Sequence, residues 1–441
     1  MQNPFAATAA AANVRWLSKV PATAHEGLRF DKAGVLYFVD ESNTGCIYKY
    51  VPTVNGNLGN GQTFVLRVSA YVGDVTLDWN ALLTSPRVGA ATWVPITNVN
   101  GTKTTTADPF QFDSSIGTGA RAAADEVFGT PYGRPEDMTI STDKDGREVL
   151  YFSATSEHAV YAVVLLSKDA AEVKVFCDRN TINIATGLPV GSNFTNPDNL
   201  AVDFEGTIYV VEDQPPPVAD IWQAVDADNN GVADYFALWL SLGVDGAEPT
   251  GLFFSTNTLT RAIVSIQHPS SGNDAIFEIN FGAAPPAQNI PILTSSTTLR
   301  TSKATLPIGG SAENSLPFDV PAGYTYRKIT DRTTLNATGT FPIGFSNFDM
   351  ITYAAPENSK PGQYPDAEKF IFVPFETGAG GLMRYNTVDG SILIFAQGKS
   401  TVSRNFIPAT FDVNNDNFVS VDPSTFTPFN TVLFAEETTG M

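Results

Sequence analysis

Histidine, cysteine and positive charge are all scarce in this chain, and each shortage closes off a class of chemistry. There are three histidines, His25, His158 and His268, in 441 residues. No GxSxG, HExxH or glycine-rich phosphate loop accompanies them, which argues against a serine triad or a zinc protease. The two cysteines, Cys46 and Cys177, are far apart in sequence and in no metal-ligand spacing; a disulfide and two buried thiols both stay open. Lys and Arg number 26 against 46 Asp and Glu, a formal charge of −20. That balance repels nucleic acid and anionic lipid and favours hard cations, so no nucleic-acid partner is expected. Only 16% of residues are charged, so the imbalance reflects missing bases more than added acids. Such a surface suits a secreted or saline setting, and equally plain solubility. No apolar run reaches the roughly 18 residues of a membrane span. The opening MQNPFAATAAAANV has neither a basic region nor an apolar core, so it does not read as an ordinary signal peptide. Helical periodicity is also rare, with short candidates at DVTLDWNALL near Asp74 and DYFALWLSLG near Asp234.

What the chain has is a recurring pattern: an acidic turn, an apolar strand, a turn, a second apolar strand and often another acid. It reads HEGLRFDKAGVLYFVDE from His25 to Glu41, NPDNLAVDFEGTIYVVED from Asn196 and EPTGLFFSTNTLTRAIVSIQHP from Glu248. Looser copies are RPEDMTISTDKDGREVLYFSATSE from Arg134, FSNFDMITYAAPEN from Phe345 running on to KFIFVPFETG, and TPFNTVLFAEETTG from Thr427. The strands are short and rich in β-branched and aromatic residues, and pairs such as GVLYFVDESNTGCIYKYV read as hairpins. Regular hairpins without a βαβ rhythm predict an all-β fold, and about six copies of a four-stranded unit predict a six-bladed β-propeller with a few short helices in loops. Residues 1–441 are expected to form a single domain. The stretch 284–315, rich in Ala, Pro, Ser, Thr and Gly, reads as a linker or long surface loop.

Equivalent loops of a repeat gather on one face, so the acids of these turns are expected to converge: Glu26, Glu41, Glu136 or Asp137, Asp198, Glu248, Asp349, Glu376, and Glu436 or Glu437. Crowded carboxylates raise one another's pKa unless cations bind, and oxygen-only ligands select calcium or magnesium. Acids that merely cap turns are the alternative. Asp226, Asp228, Asn230 and Asp234, with Gly231 at the turn, follow the first half of a calcium loop. Asp412, Asn414 and Asp416 repeat the alternation without the glycine. His25, beside Glu26, is the candidate proton donor or metal ligand, and a hydrogen-bonded surface histidine is the alternative.

HEG at His25, RPED at Arg134, NPDNLAVD at Asn196, EPTG followed by SIQHP, and TPFNTVLFAEE at Thr427 resemble the PhoX-type alkaline phosphatase family. The resemblance implies a secreted or periplasmic β-propeller that uses calcium and iron to cleave phosphate esters. It places metal-binding glutamates at Glu26, Glu248 and Glu436 or Glu437. The family's iron-binding cysteine falls on Ala435 and its substrate-binding arginine on Gly246, so iron is not expected, and loss of the fork weakens phosphate binding. In the family the motif matched by FAEE comes before the HEG-like one, whereas here it ends the chain. LPFDVPAGYTYRKITD resembles the start of a mature member, so the order reads as a circular permutation joined through 284–315, or as a register cut from a tandem array or a misordered coding sequence. Two functions compete: a calcium-holding propeller with a structural or binding role, and a phosphomonoesterase or phosphodiesterase using calcium-bound water. A lactonase-like or sugar-binding propeller is a third reading without a motif of its own.

Overall fold

The computed structural model describes residues 1–113, 117–281, 301–341, 346–357, 359–377, 380–397 and 420–437. The fold is all-β, with 43% of residues in strands and 9% in helices. Its residues group into two compact units: Met1–Val14, Arg179–Ala227 and Ala233–Phe434 form one, and Arg15–Asp178, Asp228–Val232 and Ala435–Met441 the other.

In the unit that begins at Arg15, one antiparallel meander runs through Leu28–Phe30, Leu36–Val39, Ile47–Val54 and Asn57–Val68. A second runs through Pro135–Thr142, Glu148–Ala154, Ala159–Leu165 and Ala170–Asp178. Gly89–Pro95 pairs with a strand of each and joins them into nine strands. Tyr37, Leu66, Trp93, Tyr132, Phe152 and Val163 pack into one buried core, the apolar payload that the strand-rich sequence predicts. Cys46 and Cys177 are both buried in this unit as free thiols, so of the two outcomes left open by the sequence, unlinked thiols is the one observed.

The unit containing Met1 carries three further meanders. The first is Pro197–Val202, Ile208–Glu212, Asp220–Val225 and Tyr235–Leu242. The second is Glu248–Phe254, Arg261–Gln267, Ala275–Asn280 and Thr325–Asp331. In the third, Phe370–Thr377, Gly381–Asn386 and Ile392–Gln397 follow the short strands Ser346–Phe348 and Thr352–Tyr353. Val421–Phe426 and Val432–Glu436 form a final pair. Four four-stranded meanders, one five-stranded sheet and a terminal pair give the all-β, propeller-like fold that the repeats predict. The stretch 284–315 lies between the third and fourth strands of one meander; its described part includes a short helix, Ser311–Ser315.

One helix expectation is corrected. DYFALWLSLG forms the strand Tyr235–Leu242, in which every residue after Tyr235 is buried. Both faces of the strand meet core, so its apolar residues run on without alternating, and a short run of that kind does not distinguish strand from helix. DVTLDWNALL contributes only the single 3-10 turn Trp79–Leu82.

The second acid of several repeats has a local structural task. Asp203 Oδ1 accepts from the amides of Glu205 and Thr207 at 3.0 Å each, and the Tyr209 hydroxyl donates to Oδ2 at 3.3 Å. Asp31 repeats this with the Val35 amide at 2.8 Å and the Tyr37 hydroxyl at 3.2 Å. Asp143 accepts from the amides of Asp145 and Arg147, both at 2.9 Å. These acids close hairpin turns.

Candidate metal centres

A shared backbone device aims the other acids. Arg134, Asn196, Gly246 and Asn347 all have left-handed backbone, with φ of 49°, 40°, 69° and 60°. Two residues after each stands an acid: Glu136, Asp198, Glu248 and Asp349. Beside three of them the ladder slips, between Pro135 and Met138, Pro197 and Leu200, and Thr250 and Phe253. A left-handed residue followed by a bulge turns the entering strand and redirects a side chain that regular pleating would point elsewhere.

In the unit that begins at Arg15, Glu26, Glu41 and Glu136 each offer an oxygen within 4.8 Å of the others, and Glu437 brings one equally close to Glu26. Arg134 Nη2 lies 2.8 Å from Glu41 Oε1 and 2.6 Å from Glu136 Oε1, so a guanidinium already offsets part of this charge. Glu436 serves through its backbone, its carbonyl accepting from the His25 amide at 3.2 Å. Asp137 enters none of these groups; it pairs with Arg29 at 3.2 Å and accepts from the Met138 amide at 2.6 Å. His25 Nε2 lies 3.1 Å from the Pro21 carbonyl. Burial lowers its pKa to about 4, leaving the ring neutral at physiological pH.

The unit containing Met1 holds two clusters. Asp198, Asp213 and Glu248 form one, and Asp349, Glu376 and Asp422 the other, again with oxygens within 4.8 Å of one another. Glu248 Oε1 is gripped from the protein side: Gln267 donates to it at 3.1 Å and His268 Nε2 lies 3.0 Å away. His268 is fixed in turn by its Nδ1, 2.9 Å from the Gly246 carbonyl. Glu248 Oε2 is buried, and no N–H or hydroxyl of the protein donates to it; its carboxyl lies against that of Asp213. Burial, then the neighbouring Asp213, Asp198 and Asp349, push the Glu248 carboxyl well above its usual range. Asp349 Oδ1 accepts from Thr250 Oγ1 and, at 2.7 Å, from the Met350 amide. Burial and Asp349 raise Glu376 to about 8, while Asn347 Nδ2 donates to its Oε2 at 3.2 Å.

Of the residues singled out in the sequence, Glu26, Glu41, Glu136, Asp198, Glu248, Asp349, Glu376 and Glu437 thus enter clusters. Asp213 and Asp422 complete the two triads, and sequence reading missed them both. Asp213 ends the quoted VVED run, so its signal was present; Asp422 stands alone in SVDP. In the 226–234 loop, Asp228 and Asp234 are exposed and Asp226 is half-buried. Asp234 accepts from the Ala227 amide at 2.8 Å, and Gly231 makes the expected sharp turn at φ 84°. Asp412, Asn414 and Asp416 lie outside the described residues.

All-carboxylate donor sets, with no histidine or cysteine in any of these groups, are the hard-oxygen environment of divalent cations. Ligand oxygens about 2.4 Å from a calcium ion stand at most about 5 Å apart, which the observed spacing meets.

Residues 10–270 match the sequence profile of the family described as "Alkaline phosphatase PhoX". That is more than half of the chain, and the protein belongs to this family. The family is metal-dependent, acts on phosphate esters and is typically secreted or periplasmic. No curated protein matches the chain. Among solved structures, it is similar to a Bacteroides uniformis protein assigned as a 6-phosphogluconolactonase, with 10% identity, 92% of this chain and 87% of that one covered, and a TM-score of 0.34. A Thermus thermophilus protein assigned as an oxidoreductase (glucose dehydrogenase) shows 10% identity, coverage of 96% and 93%, and a TM-score of 0.39. Among the described residues, no helix is long and apolar enough to cross a membrane.

Proposed function

We propose that this chain is a calcium-binding PhoX-type protein, working outside the cytoplasm, whose carboxylate clusters hold divalent cations and give it a structural or binding role. The observation that carries this reading is Glu248 Oε2, a buried carboxylate oxygen to which no N–H or hydroxyl donates and which faces only the carboxylates of Asp198 and Asp213. A buried polar atom without a partner costs about 1–3 kcal/mol, and more for a charged group. Gln267 and His268 occupy the other oxygen, leaving Oε2 for an ion. Glu26, Glu41 and Glu136 would hold another, and Asp349, Glu376 and Asp422 a third.

A second reading, hydrolysis of phosphate esters, draws on family membership. A bound cation supplies a Lewis acid and an activated water for such chemistry. The chain's own residues would bind and orient: the triads set the ion positions, while His25, the candidate proton donor of the sequence, is neutral at physiological pH with Nε2 against the Pro21 carbonyl, which weakens that role. Two departures weigh against it. Ala435 offers no thiolate, and Gly246, with its left-handed backbone at φ 69°, offers no guanidinium and strains any side chain placed there.

Metal analysis and a p-nitrophenyl phosphate assay on one purified sample, before and after chelation, separate the readings. Bound calcium without turnover supports the binding role. Chelator-sensitive hydrolysis that is lost in Glu248→Gln establishes the hydrolase instead. A metal-free protein whose melting temperature ignores chelator refutes both.

A further inference from the structure

Asn199 and Thr250, in the unit containing Met1, are buried and uncharged. Both come from motifs that supply cluster acids: Asn199 follows Asp198 in NPDN, and Thr250 stands two residues after Glu248 in EPTG. Hydrogen bonds run through them from one triad to the other. Asn199 Nδ2 donates to Asp198 Oδ1 at 3.3 Å, and Asn199 Oδ1 accepts from the Thr250 hydroxyl. The same hydroxyl meets Asp349 Oδ1. Asp198 belongs with Asp213 and Glu248, and Asp349 with Glu376 and Asp422.

The backbone brings these groups together. Asn199 lies inside the slip between Pro197 and Leu200, and Thr250 opens the slip that ends at Phe253, so the bulges that aim the acids also redirect these two side chains. Gly251, at φ 58°, passes so near the segment of Asp349 that a Cβ would stand 2.4 Å from the Ile351 amide nitrogen; glycine is what permits the approach. The Gly251 amide donates to Asn199 Oδ1 at 2.5 Å, and the Met350 amide to Asp349 Oδ1 at 2.7 Å. The first of these bonds sets which way round the Asn199 amide lies, with its oxygen toward Thr250 and its nitrogen toward Asp198. Satisfying the Gly251 amide would need only that oxygen. The Asn199 nitrogen and the Thr250 hydroxyl go further, and each ends on a carboxylate of a different triad.

We infer that Thr250 is a positioning residue shared by two cation sites, holding Asp349 directly and Asp198 through Asn199. This rests on the proposal that the two triads bind cations. The hydroxyl has one hydrogen and two acceptors within reach, so both sites draw on a single donor. Its loss takes a hydrogen bond from a ligand of one triad and from the residue that orients a ligand of the other. Groups that orient metal ligands typically contribute about 10–100-fold in affinity.

The test is calorimetric titration of chelator-treated full-length protein with calcium chloride. Each triad is read by itself in a background that removes the other: Glu376→Gln leaves the site containing Asp198, and Glu248→Gln the site containing Asp349. Thr250→Val, which keeps the shape and removes the hydroxyl, is expected to weaken both sites by roughly 10–100-fold, and Thr250→Ser, which restores the donor, to recover both. Asn199→Ala should weaken the site containing Asp198 alone, since it leaves the hydroxyl to Asp349. If Thr250→Val does not fold, Thr250→Ala carries the same expectation. Wild-type uptake with unaltered binding in the Thr250 variants, a loss confined to one site, or a loss that Thr250→Ser does not recover overturns the shared role alone. Wild-type protein that takes up no calcium overturns the reading of the triads and the shared role with it.

Discussion

His268 Nε2 lies 3.0 Å from Glu248 Oε1, the same oxygen that accepts from Gln267 at 3.1 Å. Two protein groups therefore converge on one side of the carboxylate, and its other oxygen is left to Asp198 and Asp213. The asymmetry separates a ligand from a turn cap. Asp203 spends both its oxygens on nearby donors, and Glu248 spends one.

Glu248→Gln should abolish one calcium site with little harm to the metal-free fold. The amide removes a charge whose ionisation burial and three neighbouring acids oppose. The metal-free melting temperature is expected to hold or rise, while the increase on adding calcium shrinks. Differential scanning calorimetry with and without calcium checks this, and an unchanged calcium response counts against Glu248 as a ligand.

Asp203 gives a pH dependence of known sign. Burial raises its pKa to about 6 from an ordinary 3.8, while its turn amides and Tyr209 pull the other way. The folded state therefore binds this proton more tightly than the unfolded state does. Ionised Asp203 costs stability above about pH 6, and the cost fades as pH falls toward 4. Asp203→Asn, which can still accept both turn amides, should gain on the order of 1–2 kcal/mol at pH 8 relative to its effect at pH 4.5. Urea midpoints at the two pH values decide it, and a pH-independent difference contradicts the assignment.

Arg121 forms a two-point ion pair with fully buried Asp40, Nε to Oδ2 and Nη2 to Oδ1, both at 2.8 Å. Removing one partner strands the other charge. Arg121→Met is expected to destabilise by about 3–5 kcal/mol, and adding Asp40→Asn should recover part of the loss. Equilibrium denaturation of the single and double variants measures both effects.

Cys46 and Cys177 should be silent toward thiol reagents in the native state. Burial pushes both thiols well above their usual range, and the thiolate is the reactive form. Ellman's reagent should detect no thiol until denaturant is added, and then two.

The sequence made the blades legible because their strands are short, β-branched and bounded by turns, a pattern that survives without tertiary information. It also exposed the acids of HEG, RPED, NPDN, EPTG and SNFD, which repeat in frame. Asp213 and Asp422 were less visible because Asp213 lies just past the strand Ile208–Glu212 and Asp422 sits on a strand pair separate from the sheet of Asp349 and Glu376, so packing that a local pattern does not encode brings them in. His268 and Gln267 depend further on bulges and left-handed turns, and the amino acids disclose these only where glycine or asparagine occupies them. Arg134 in left-handed backbone has no such signature. DYFALWLSLG was misread because burial on both faces erases the alternation that marks a strand.

The most direct test of the account is the melting temperature of the wild-type protein in chelator and in calcium, paired with elemental analysis of the untreated sample. The account predicts stoichiometric calcium and a melting temperature that rises with free calcium, because an ion that binds only the folded state stabilises it by mass action. A protein without bound divalent cation, melting at the same temperature in chelator and in millimolar calcium, would contradict it.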